Sequence, residues 1–93
     1  MKYFVLTVDP FGIPLRIRGD FARSTWPVDL SKALQDSILE WNRDFSKIIA
    51  CEHLYTAEQI TELRRELNER GFQLASQISG EIETENHVEF APE

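Results

Sequence analysis

Cys51 and His53 are the residues whose types and spacing come nearest to a nucleophile and its base. A cysteine nucleophile needs a base to take its proton, but such partners normally meet through the fold rather than two residues apart in one segment. The chain also has no nucleophile elbow, P-loop or dinucleotide-binding glycine motif. The pattern therefore favours a half-buried thiol beside a surface imidazole, and it predicts that the protein is not an enzyme.

Metal-binding residue types are equally sparse. His53 and His87 are the only histidines and Cys51 is the only cysteine, and none of them stands in a zinc-site spacing. The sequence therefore predicts no metal and no other cofactor. A single cysteine cannot form an internal disulfide, so we expect a reducing, cytoplasmic location.

Acidic side chains carry the most information. The chain has 93 residues, 16 of them acidic and 10 basic, and its formal net charge is -6. Residues 1–47 hold seven basic and six acidic side chains, whereas residues 48–93 hold three basic and ten acidic ones. The second half therefore accounts for all of the net negative charge. This sign argues against nucleic acid as a partner, because a binding protein must neutralise phosphates.

Two acidic clusters in the second half form a candidate surface for a basic partner. The first lies on the polar side of a predicted helix, where Arg65 and Arg70 can offset part of its charge, so a solvated helix face is its plainer explanation. The second has a carboxylate at every other residue, which repel one another in an extended chain, although a solvated acidic turn explains it equally well. The two clusters are Glu62, Glu66 and Glu69, and Glu81, Glu83 and Glu85.

Trp26 is the candidate aromatic anchor of the same surface. It precedes Pro27 in a loop and lies off the apolar stripe of the following helix. Large aromatic side chains often dominate the energetics of protein interfaces. Packing of Trp26 over the start of the helix is the alternative.

The strands that hold this surface follow from periodicity and turn residues. Residues 2–9 are apolar on both alternating faces, which predicts a central strand or one covered on both sides. The turn Asp9-Pro10-Phe11-Gly12 then reverses the chain. Residues 13–18 alternate and contain Pro14, so they predict an edge strand or one with its proline toward solvent. Residues 87–90 predict a third strand with Val88 and Phe90 facing inward.

Two helices are expected between the strands. Apolar residues at helical spacing predict the first over residues 27–45. Residues 46–55 show no clear period and are interpreted as an irregular connector, in which residues 48–51 either end the first helix or form a short buried segment. A capping box at Thr56 and Gln59 opens the second, over about residues 57–79, and Gly80 is its expected left-handed C-cap. Gly71 inside that helix indicates close packing against the sheet or the first helix.

The order ββααβ predicts an α+β fold in which a small antiparallel or mixed three-stranded sheet has two helices packed on one face. At this length we expect one domain over residues 1–93. No apolar run is long enough to cross a bilayer, so no membrane partner is expected. Asp9 and Pro10 interrupt the first apolar run, which favours a strand of the mature protein over a signal peptide.

Three segments of the sequence form a pattern that covers roughly half of the chain. They are Pro27-Val28-Asp29-Leu30 with Leu34 and Ile38-Leu39-Glu40-Trp41-Asn42-Arg43-Asp44-Phe45, then Glu69-Arg70-Gly71-Phe72-Gln73-Leu74-Ala75-Ser76-Gln77-Ile78, and finally Val88-Glu89-Phe90. In this order the segments resemble small bacterial immunity proteins of contact-dependent growth inhibition and related polymorphic toxin systems. These residues occupy mostly core positions, so they indicate the family rather than the target.

The resemblance implies a protein that neutralises a cognate toxin domain in the producing cell. If the toxin is a nuclease with a basic cleft, the acidic surface is suited to fill that cleft and block its active site. The expected toxin-binding residues are Trp26, Glu62, Glu66, Glu69, Glu81, Glu83 and Glu85. The alternative is a small non-catalytic regulatory or assembly protein that self-associates or binds a partner through a sheet edge. The oligomeric state stays open.

Overall fold

The computed structural model describes residues 3–18, 26–82 and 86–92. Within these residues, five regular elements and one 3-10 turn follow one another. They are β1 (Tyr3–Leu6), β2 (Leu15–Ile17), α1 (Lys32–Ala50), the 3-10 turn Glu52–Leu54, α2 (Ala57–Glu81) and β3 (His87–Phe90). The α+β fold and the ββααβ order predicted from the sequence are confirmed.

The three strands form a mixed sheet in the order β2-β1-β3. β1 pairs antiparallel with β2, through the turn, and parallel with β3, which needs a long crossover that the two helices supply. The central position of β1 and the edge position of β2 are confirmed. Pro14 is nevertheless fully buried, and it keeps a place at the edge because its carbonyl accepts a hydrogen bond from Thr7 N at 2.9 Å.

Alternation along β1 separates a covered face from an open one. Phe4 and Leu6 are 1% and 0% exposed, whereas Tyr3 is 41% exposed. On the open face the Tyr3 ring contacts the ring of His87, with centroids 5.0 Å apart. β1 is therefore apolar on both faces because it is central, and only one of its faces is covered by helices.

The first helix begins and ends five residues later than predicted. Residues 27–30 are not helical because Ser31, and not the residue before Pro27, is the N-cap, and its Oγ accepts from Leu34 N at 3.3 Å. At the other end Ile48 packs against the core. Of the predicted connector over residues 46–55, residues 46–50 therefore belong to α1, and Cys51 is its C-cap. This agrees with the alternative that residues 48–51 end the first helix.

The second helix begins where the capping box predicts. Thr56 Oγ1 accepts from Gln59 N at 3.2 Å, and Gln59 Oε1 accepts from Thr56 N at 2.9 Å. The predicted C-cap at Gly80 is wrong, because the helix continues to Glu81 and ends at Ile82. Contacts of the Glu81 side chain, described below, explain this extra length.

Trp41 lies where both helices and the sheet meet. Its side chain is fully buried, its Nε1 donates to Leu67 O of α2 at 2.8 Å, and its ring contacts Phe45 and Phe90 edge to face. A buried indole needs a partner for its N–H, and this one finds it in the neighbouring helix backbone.

Gly71 packs directly against the third strand. A Cβ built on Gly71 would lie less than 3.0 Å from three atoms of the Phe90 ring. The close packing expected at this glycine is therefore confirmed, and the sheet is its partner.

We predict that Gly71→Ala destabilises the fold despite the higher helix propensity of alanine. The overlap with Phe90 forces a shift of β3 or α2, at a cost of about 1–3 kcal/mol in the free energy of unfolding. Gly80→Ala is the matched control, because nothing lies within 4 Å of a Cβ there, and it should stabilise the helix by up to about 1 kcal/mol. Urea unfolding measures both changes, and equal stability of the two variants would contradict the packing argument.

Candidate functional site

The carboxylates of α2 form an exposed ridge. We call the exposed side chains of Glu58, Glu62, Glu66 and Glu69 the acidic ridge. They follow the helix side opposite its buried residues Leu67, Leu74 and Ile78, because spacings of three and four return to one face. The exposure that helical spacing predicts for Glu58, Glu62, Glu66 and Glu69 is confirmed.

Arg65 neutralises part of this ridge. Its guanidinium hydrogen-bonds to Glu62 and lies 3.0 Å from Glu69 Oε1. The hydrogen bond and the charge of Arg65 lower the pKa of Glu62, and Glu62 in turn raises the pKa of Arg65. Glu66 has no ion pair with a described residue. Four carboxylates against one guanidinium leave the ridge with three negative charges.

The two other arginines of α2 pair away from the ridge. Arg70 Nη1 lies 3.2 Å from Asp44 Oδ2 of α1, and Arg64 pairs with Glu52 of the 3-10 turn. The expectation that Arg70 offsets the glutamates is therefore wrong, because Arg70 bridges the two helices instead. The ridge is more negative than the helix sequence alone indicates.

Glu81 joins the end of α2 to the start of α1. Its Oε1 accepts from Ser31 N and its Oε2 accepts from Ser31 Oγ, both at 2.7 Å. These two hydrogen bonds lower the pKa of Glu81, and the one from the Ser31 backbone N–H has the larger effect. A carboxylate at a helix N-terminus satisfies an orphan donor and meets the positive end of the dipole. Glu81 is thus apart from the ridge and engaged within the chain.

The remaining candidate residues are placed as follows. Glu83 and Glu85 lie outside the described residues. Trp26 is half-buried and packs against the core, in line with the alternative explanation for that residue. Of the seven candidates, the structure brings Glu62, Glu66 and Glu69 onto one surface with Glu58.

Metal-ligating groups are not assembled in the part of the chain that the structure describes. Cys51 is the half-exposed C-cap of α1, and His53 is exposed in the 3-10 turn. No group of three or more His, Cys, Asp or Glu side chains within residues 3–18, 26–82 and 86–92 is placed to hold a metal ion. None of the described helices combines the length and the apolar character that a bilayer crossing requires.

A shallow groove beside the hairpin turn escaped the sequence analysis. We call it the turn groove, and it is lined mainly by Phe11, Leu39, Arg43, Ser46, Lys47 and Ala50. Phe11 is 86% exposed and Leu39 is 37% exposed. A phenylalanine at the third position of a turn, where Gly, Asn or Asp is usual, is the signal that points to it.

A buried polar network holds this turn against α1. Asn42 Oδ1 accepts from Asp9 N at 2.9 Å, and Asn42 Nδ2 donates to Asp9 O at 2.8 Å. The Asp9 carboxylate accepts from Phe11 N at 3.0 Å and from Arg16 Nη2 at 2.8 Å. Asp9 and Asn42 are 3% and 9% exposed. Phe11 is therefore displayed to solvent from a backbone fixed on both sides.

Comparison with known proteins finds no matching family model and no matching curated protein.

We predict that Asn42→Ala destabilises the protein by about 2–3 kcal/mol, because it leaves the buried N–H and C=O of Asp9 without their partner. Urea unfolding measures the loss. Glu40→Ala, at an exposed position of the same helix, is the control and should change stability by no more than about 0.5 kcal/mol. A loss at Asn42 no larger than that of the control would show that the network contributes nothing.

Glu81 predicts an acid-sensitive contribution to stability. Because its pKa is lowered in the folded state, its contribution is fully present above the unfolded value near 4.5 and disappears as the pH falls through the folded value. We expect the stability difference between the wild type and Glu81→Gln to be largest above about pH 4.5 and to shrink below it. Urea midpoints across this range measure the difference, and a pH-independent difference would contradict the prediction. Ser31→Ala should show the same trend, since it removes one of the two donors.

Proposed function

We propose that this protein neutralises the toxin domain of a contact-dependent growth inhibition effector, or of a related polymorphic toxin system. It acts in the cytoplasm of the producing cell, where it binds the cognate domain and blocks its active site. The observation that supports this proposal is the acidic ridge, which keeps three negative charges on one helix face. The toxin it suits best is a nuclease, because a nuclease presents a basic cleft to phosphates.

The geometry of the ridge suits a cationic cleft. Successive carboxylates four residues apart rise about 6 Å along the helix. Glu58 to Glu69 therefore span about 16 Å of a straight, regular element. A helix held by the Trp41 and Gly71 contacts presents these charges in a fixed row, so binding costs little ordering of the backbone.

Electrostatics also suits the speed that such inhibition requires. A row of like charges steers a cationic partner from a distance and raises the association rate, and salt reduces this effect. Glu66 has no ion pair with a described residue, and it gives up none on binding. Glu62 and Glu69 share Arg65, so the ridge gains most where the partner supplies a cation near Glu66.

The family resemblance supports the proposal separately. Its residues Trp41, Phe45 and Leu74 are buried, and Gly71 lies against Phe90. These positions are those that fix the packing of two helices on a sheet. These core residues therefore support a family scaffold of two helices on a sheet, whereas the acidic ridge supports a target with a basic cleft.

The proposal is tested with the final domain of a large secreted protein encoded beside this chain. The purified domain should bind this protein, and co-expression should protect cells from it. Neutralising the ridge with Glu62→Gln, Glu66→Gln and Glu69→Gln should weaken binding by at least about 100-fold at low salt, mainly through the association rate. Calorimetry and stopped-flow kinetics at two salt concentrations measure this.

The matched control removes three carboxylates elsewhere, with Asp36→Asn, Glu40→Gln and Glu89→Gln at exposed positions. It has the same net charge as the ridge variant, so a general charge effect would weaken both equally. Equal weakening would reject the ridge as the binding surface. If this protein neither bound any neighbouring toxin domain nor protected cells from one, the toxin-inhibitor function itself would be rejected. The regulatory or assembly alternative would then remain.

A further inference from the structure

We propose that this protein forms a symmetric dimer in which the turn groove of each copy contacts the acidic ridge of the other. This inference goes beyond the proposed function and does not depend on a toxin. It rests on an exposed apolar surface with a basic border on α1, on an acidic surface on α2, and on the antiparallel arrangement of these two helices.

The turn groove is unfavourable when it faces water. Phe11 is 86% exposed and Leu39 is 37% exposed on one groove, and burying apolar surface that faces water is favourable. The buried hydrogen bonds of Asp9 with Asn42 hold Phe11 in this position. A fixed and exposed aromatic side chain is typical of an interface anchor, because little side-chain or loop entropy remains to be lost.

The border of the groove is cationic. Arg43 and Lys47 follow one another at helical spacing along α1, and neither has an ion pair with a described residue. An apolar groove with two free cations suits an occupant that combines carboxylates with apolar groups. The acidic ridge lies next to such groups, since Leu54 and Tyr55, 69% and 38% exposed, immediately precede α2.

The two surfaces are carried by neighbouring helices. Ser31 contacts Glu81, and Asp44 contacts Arg70, so the helices run antiparallel. The C-terminal half of α1, with its cations, is therefore beside the N-terminal half of α2, with the acidic ridge. A two-fold axis between the helices places α1 of each copy against α2 of the other and forms both charge-complementary contacts at once.

The size of the molecule allows such an interface. A stable dimer buries about 800 Å² on each partner, and the protein measures 42 × 24 × 22 Å. Its helical side therefore has a footprint of roughly the required area. Because the ridge takes part in the dimer, a toxin bound to the ridge would compete with self-association.

The test is the association state of the full chain without any partner. Sedimentation equilibrium should show a monomer–dimer equilibrium that weakens as salt rises from about 0.05 M to about 0.5 M. Arg43→Glu and Glu66→Lys, made separately, should each raise the dissociation constant by about tenfold or more, because each change occurs twice in the dimer. Phe11→Ser should weaken the dimer without lowering the free energy of unfolding of the monomer.

An equimolar mixture gives the most specific result. The two reversed variants should form a heterodimer with each other more readily than either forms a homodimer, because each supplies the charge that the other's surface requires. Lys32→Glu and Glu89→Lys make the same charge changes at exposed positions outside both surfaces, and they should leave the dimer unchanged.

Three results would overturn the dimer. They are a monomer at every concentration up to about 1 mM, a dimer indifferent to Arg43→Glu and Glu66→Lys, and assemblies that grow beyond two copies, which indicate a head-to-tail contact. The toxin proposal is tested separately, since its readout is binding of the toxin domain. Failure of one experiment therefore leaves the result of the other intact.

Discussion

The hydrogen bond from Trp41 Nε1 to Leu67 O joins the two helices at the centre of the core. It fixes the height at which α1 meets α2, and the edge-to-face contact with Phe90 then fixes β3 against both. Phe90 in turn fills the space that Gly71 leaves open. The parallel pairing of β3 with β1, the least local feature of the fold, therefore depends on one indole and one missing Cβ.

Hydrophobic periodicity predicted the elements well and their ends poorly. The stripe through Leu34, Ile38, Trp41 and Phe45 identifies α1, but the N-cap decides where the helix starts, and the prediction placed that start at Pro27 rather than after Ser31. The N-cap at Ser31 is supported by Glu81, fifty residues away, whose carboxylate accepts hydrogen bonds from Ser31 N and Ser31 Oγ. The same contact holds Glu81 as the last residue of α2, so that the helix extends beyond Gly80. Such long-range tertiary contacts cannot be read from local sequence, whereas the capping box at Thr56 is local and was predicted correctly.

The candidate site was predictable to a similar extent. Exposure of Glu62, Glu66 and Glu69 follows from helical spacing, and so does the pairing of Glu62 and Glu69 with Arg65. The roles of Arg70 and Glu81 do not, because each pairs with a residue on another element. Predicting the turn groove requires still more information about tertiary structure, because the groove combines a turn near residue 11 with the outer side of a helix that begins about twenty residues later. The unusual phenylalanine in the turn is the sequence signal from which the groove could have been predicted.

Charge in this protein is divided between internal and external uses. Three charged side chains of α2 connect this helix to other elements. Arg64 pairs with the 3-10 turn, Arg70 pairs with α1, and Glu81 accepts from the N-cap of α1. The acidic ridge and the two cations of the turn groove connect nothing among the described residues except through Arg65. Exposed ion pairs contribute little to stability, so selection for folding explains neither surface well. Association explains two exposed surfaces of opposite sign on one small domain better than folding does. The proposed dimer and the proposed basic partner are the two kinds of association that their placement on adjacent antiparallel helices suits.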